Sequence, residues 1–97
     1  IRRGLVRIEL PIAEHQAHHL GTFGRGSFFG EMSFLDGAVR SADAIAAAGT
    51  ILYSLKRADF EAFCTHHHKF GEVFYRNLAR ILAHRLRQSH HELQAAL

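Results

Sequence analysis

Toward the end of the chain, apolar side chains recur at helical spacing, at Phe70, Phe74, Leu78, Leu82, Leu86 and Leu93, with Val73 and Ile81 widening the stripe. Side chains so spaced share one face of an α-helix. Near the start the period is different: Val6, Ile8 and Leu10 alternate with Leu5, Arg7 and Glu9, the pattern of a half-buried strand. That change of period confines the fold to strands first and helices after. Pro11 is expected to end the first strand, and a polar loop through His15 and Gln16 leads to a second near His19 to Phe23. Gly24 to Gly26 turns the chain. Ala42, Ala44 and Ala46 then alternate with Asp43 and Ile45, Gly49-Thr50 interrupts, and Ile51-Leu52-Tyr53-Ser54-Leu55 predicts one more strand. A short helix is expected from Ala58 to about Thr65, with Phe60 and Phe63 at helical spacing. On the long helix that follows, Arg76, Arg80, His84, Arg87 and His91 form the opposite face, read as solvated, with an acidic partner surface as the alternative.

Ninety-seven residues allow one small domain with a modest core. No run of about twenty apolar residues predicts a membrane span, and no leader pattern at Ile1 predicts secretion. The single cysteine, Cys64, has no internal partner for a disulfide, which fits a reducing, cytoplasmic setting; among Phe60 and Phe63 it reads as a small buried hydrophobe. Twelve basic and nine acidic side chains give a formal charge of +3, favouring anionic ligands only slightly. Neither a basic footprint nor an aromatic ladder interleaved with Arg points to nucleic acid.

The most chemically specific segment runs from Phe23 to Ala42. Gly30-Glu31 opens a short helical turn, and Arg40-Ser41-Ala42 begins nine residues after the Glu. Backbone N–H groups at the start of such a turn point at an anion, and Gly lets the backbone approach closely. An Arg presents a planar fork that matches two phosphate oxygens. A carboxylate only accepts hydrogen bonds, so it suits a sugar hydroxyl and repels a second phosphate. One anion-binding turn, one Arg and one Glu describe a pocket for a singly charged phosphate fused to a sugar.

Gly30-Glu31-Met32-Ser33 followed by Arg40-Ser41-Ala42 resembles the phosphate-binding cassette of cyclic nucleotide-binding domains. The resemblance implies that Glu31 binds the ribose 2′-hydroxyl and Arg40 the cyclic phosphate, with Gly30, Met32 and Ser33 forming the cradle and Ser41 adding a hydroxyl or backbone contact. Many members carry Pro before the Arg; here Val39 stands there. The implied fold is mainly β with C-terminal helices: an incomplete double-stranded, jelly-roll-like β-roll over 1–56 with its cassette at 26–42, then a short and a long helix over 57–97. Arg2-Arg3-Gly4-Leu5-Val6-Arg7-Ile8 resembles a mid-roll strand that a leading helix and about three strands usually precede. The expectation is therefore a fragment of a larger protein, or a roll completed by a second copy, and a homodimer is expected.

The family's ligand, cyclic AMP or cyclic GMP, is implied, and no cofactor besides. Ala83-His84-Arg85-Leu86-Arg87-Gln88-Ser89-His90 resembles in register the helix that touches the base in catabolite-activator-type regulators, making Ser89 and His90 candidate base contacts. Both positions are hydroxylic there, whereas the second is His90 here. His18-His19-Leu20-Gly21-Thr22-Phe23 and Val39-Arg40-Ser41-Ala42-Asp43-Ala44 resemble domains at the C-termini of bacterial sulfate-permease-type transporters or glutaminases, so a fused membrane transporter or enzyme is the implied output partner. The site then lies in the cytoplasm or on the cytoplasmic face of a membrane protein.

Competing readings are a degenerate roll used only for interaction or dimerisation, and the sensor half of a catabolite-activator-type transcription factor. Gly24, Gly26 and Gly30 also read as ordinary turn residues, Glu31 as a helix-start carboxylate, and Arg40 as a partner for Asp36 or Asp43. Nine histidines raise a metal hypothesis, but His66-His67-His68 diverge on a helix and are expected at a helix junction, while His15, His18 and His19 surround a hairpin. No helical ligand pair supports zinc, and no nucleophile motif or phosphate-loop Lys supports catalysis. The expectation is a sensor that is neither an enzyme nor a metal protein.

Overall fold

A computed structural model describes residues 1–40 and 42–97. They form two compact units, Ile1–Arg57 and Ala58–Leu97.

The first unit is built on a three-stranded antiparallel sheet. β1 (Val6–Ala13) lies between β2 (Gln16–Phe23) and β3 (Asp43–Ala46). Alternation along β1 produces the expected inward face, but burial fades along it: Val6 is 1% exposed, Ile8 is half-buried and Leu10 is exposed. Val6 stands between Phe23 on β2 and Ala46 on β3, so two neighbours cover it. Beyond Glu9 no further pairs with β3 form among the described residues, and the strand continues beside β2.

That asymmetry corrects the reading of Pro11 as the strand's end. β1 runs on to Ala13, with Pro11 opposite Ala17. A proline lacks the N–H that a central strand donates, and it is tolerated where one edge is open or the register breaks. Both conditions hold among the described residues: pairing with β3 ends at Glu9, and the register against β2 shifts between Pro11 and Ala13. The second strand likewise starts earlier than predicted, at Gln16, because a tight turn at Glu14-His15 reverses the chain, with His15 at φ 63°. Left-handed backbone is unusual for a side-chain-bearing residue, though His is among those enriched there.

The strand predicted over Ile51–Leu55 is also corrected. Only Ile51 pairs, in an isolated bridge to Arg3, and among the described residues no strand stands beside Leu52–Leu55. What fixes this return of the chain is Thr50. Its Oγ1 accepts from the Leu5 N–H at 3.3 Å and donates to the Leu5 carbonyl at 3.1 Å. Gly4, at φ 93°, makes room for that approach: a Cβ there would stand 2.7 Å from the Thr50 Cα.

The second unit holds α2 (Arg57–Cys64), all but its first residue, and α3 (His68–Ala96), a helical hairpin close to the predicted bounds. Its core is aromatic. Phe60 is buried, its ring 4.4 Å from Phe74 and edge-on to Tyr75 at 5.4 Å; Phe63 meets Phe70 edge-on at 5.1 Å. Cys64 and the buried Gly71 bring the helices together, since a Cβ on Gly71 would stand 3.0 Å from the Cys64 Sγ. The three histidines do occupy the junction: His67 is the N-cap of α3, stacked on Phe63 at 4.0 Å, and His68 is its first residue. Along α3 the apolar stripe is buried at Leu78 and half-buried at Phe74 and Leu82, but Leu86 and Leu93 are exposed.

Candidate functional site

Between β2 and β3 the chain makes one short helix, α1 (Glu31–Asp36), bracketed by two left-handed glycines, Gly30 at φ 79° and Gly37 at φ 72°. Gly37 closes it by donating its N–H to the Ser33 carbonyl at 2.9 Å. The Gly30 carbonyl accepts twice at 3.3 Å, from the Phe34 N–H and from the Ser33 hydroxyl. At the far end Arg57 Nη1 donates to the Leu35 carbonyl at 3.1 Å, satisfying a C-terminal group that the helix itself leaves open. Phe28 and Phe29 before the helix and Phe34 within it are half-buried.

Gly30, Glu31, Met32 and Ser33 therefore form the helical turn that the sequence predicted. Glu31 is half-buried in the first turn, Met32 is exposed, and Ser33 is tied to Gly30. The N–H groups of Met32 and Ser33 belong to that first turn, where an α-helix supplies no acceptor of its own.

Arg40 comes back to the same place. A Cβ built on Gly30 would stand 3.0 Å from the Arg40 Cζ and 3.1 Å from Nη2, with Nη1 nearer still, so the guanidinium lies against the Gly30 backbone. The alternative in which Arg40 serves as an ion-pair partner is not what forms: among the described residues no carboxylate is within ion-pair distance of it. Asp36 Oδ1 instead accepts from the Ala38 N–H at 2.8 Å, and Asp43 stands opposite Glu9 in the sheet. The result is a cation held beside an anion-compatible turn, one residue from a carboxylate.

Ser41 lies outside the described residues. Ser89 and His90 are consecutive, exposed positions on α3 in the second unit. The close approach of Arg40 to Gly30 and the tie from Arg57 to Leu35 were not foreseen. The Gly before Glu31 was the visible trace of the first; the second has no sequence signal, because any donor reaching a helix end can make it. Among the described residues no three of His, Cys, Asp and Glu converge as a metal site would require, and no helix is long and apolar enough to cross a membrane.

Residues 1–67, which include the whole cassette, match the cyclic nucleotide-binding domain family. The chain belongs to that family. Over 93 residues it is 38% identical to the cyclic AMP receptor protein of Thermus thermophilus, covering 96% of this chain and 41% of that protein. It is 37% identical over 86 residues to glutaminase 1 of Bradyrhizobium diazoefficiens, 89% of this chain and 13% of the relative. A cyclic nucleotide-gated potassium channel of Mesorhizobium japonicum is 43% identical over 51 residues, 53% of this chain and 14% of the channel. The chain thus spans less than half the length of each of these relatives. No solved structure matches it.

Proposed function

We propose that this chain is a sensor for a cyclic nucleotide, cyclic AMP or cyclic GMP. The observation that carries the proposal is the return of the Arg40 guanidinium to Gly30 within the region that matches the family. In this reading Arg40 forks onto the two free oxygens of the cyclic phosphate, and the Met32 and Ser33 N–H groups complete the cradle. Glu31 accepts from the ribose 2′-hydroxyl, and Ser41 adds a contact to the phosphate. A single cation suits a cyclic phosphate, which carries one charge, better than a polyphosphate.

Ser89 and His90 on α3 are the proposed contacts to the base, and a response of α3 to binding is what an output domain would read. Support for a portable sensor comes from the relatives, which bear the names of a receptor, a glutaminase and a channel. The module binds and does not catalyse: a carboxylate engaged by a ribose hydroxyl is not available for proton transfer.

Calorimetric titration of the chain with cyclic AMP and cyclic GMP tests this. Saturable binding of one or both, with 5′-AMP binding far more weakly, is the expected result. Heat indistinguishable from dilution for both cyclic nucleotides would leave a roll that serves only for interaction.

A further inference from the structure

Gly30 does two separable things. Its φ of 79° is backbone that residues with a side chain rarely adopt, and its missing Cβ leaves the space where the Arg40 guanidinium lies. The other glycines near the cassette differ. Gly26 and Gly37 also have positive φ, at 83° and 72°, yet a Cβ on either would meet nothing within 4 Å. Gly30 alone of these three combines the left-handed backbone with a filled void.

Resting on the nucleotide reading above, we infer that Gly30 is a positioning residue for Arg40. By lacking a side chain it seats the guanidinium against the backbone of the cassette before ligand arrives. An Arg side chain is long and rotamer-rich, and Arg40 is exposed, so little else restrains it. Seating the fork in advance lowers the ordering cost that phosphate binding would otherwise meet. The guanidinium is also the far end of a flexible chain, so a Cβ at position 30 displaces it rather than unfolding the cassette. The signature of such a role is lost affinity with folding retained, and the loss must depend on Arg40.

The test is a double-mutant cycle on the full chain, read by cyclic AMP calorimetry. Gly30→Ala introduces the Cβ, and Gly30→Asn introduces it on a residue that tolerates left-handed backbone; each is made with Arg40 present and with Arg40→Ala. Both are expected to weaken binding about tenfold with Arg40 present, the scale of one charge-assisted hydrogen bond, and by less than about twofold without it. Equal losses in both backgrounds would show that Gly30 acts through the backbone turn alone and would overturn the proposal. Ligand-free NMR gives a second readout: a nuclear Overhauser contact between the Gly30 α-protons and the Arg40 side chain is expected, and its absence overturns the proposed seating. Should the wild-type chain bind no cyclic nucleotide, the nucleotide reading fails with the ligand half of this proposal, and the NMR contact still decides where Arg40 sits.

Discussion

Arg40 is the cation that the cassette brings to its own turn, and in the proposed reading the phosphate interaction concentrates on it. Hydrogen bonds to charged groups contribute about 1.5–3 kcal/mol each, so Arg40→Ala or Glu31→Ala is expected to weaken nucleotide binding about ten- to a hundredfold. Both residues are outside the buried core, and circular dichroism should show an intact fold. Unchanged affinity in both variants would remove the proposed site. Ser89→Ala asks the corresponding question of the base: a shift in the ratio of cyclic AMP to cyclic GMP affinity is expected, and identical affinities for both would dismiss Ser89 as a base contact. At this scale the sequence was informative because Gly, Glu and Arg at fixed offsets are each hard to replace chemically. The seating of Arg40 on Gly30 was not legible, since it depends on how nine intervening residues fold rather than on which residues they are.

At the scale of elements, the turns that hold the sheet together separate two costs of replacing a glycine. Gly4 has positive φ and a Cβ would press on Thr50 backbone; Gly49 has φ 76° and a Cβ would meet nothing within 4 Å. Left-handed backbone costs an L-residue about 1–2 kcal/mol, and overpacking adds about 1–3 kcal/mol. Gly49→Ala should therefore lower stability by about 1–2 kcal/mol and Gly4→Ala by about 2–5 kcal/mol, compared by urea unfolding. Equal losses would mean that Thr50 yields freely and does not fix the return of the chain. The helices were read with nearly correct bounds because a 29-residue α3 repeats its period many times. The strands were harder. Ile51–Leu55 has strand composition, but composition becomes a strand only beside a partner, and only Ile51 has one. Pro11 misled for the opposite reason: whether a missing N–H matters depends on which edge is paired, and that is a property of the sheet.

At the scale of the molecule, two features offer routes to self-association. Leu86 and Leu93 extend the α3 stripe past its covered part at 58% and 61% exposure, and β2 and β3 are the outer strands of their sheet. Outer strands carry unpaired ladder groups unless something covers them. Burying apolar surface contributes about 25 cal/mol per Å², so several hundred Å² covered supplies on the order of 10 kcal/mol. Association itself costs an estimated 4–15 kcal/mol, the same scale, so any pairing is concentration-dependent rather than irreversible. We therefore expect the chain to self-associate at micromolar concentration, with a two-fold dimer as the simplest closed form. Light scattering reads the mass, and two variants distinguish the routes. Leu86→Glu with Leu93→Glu places charge on the helix stripe and should restore the monomer if helices pair. Ala44→Pro removes an N–H from β3 and should do so if strand edges pair. A wild-type chain that scatters as a monomer and unfolds cooperatively would show that neither surface drives association.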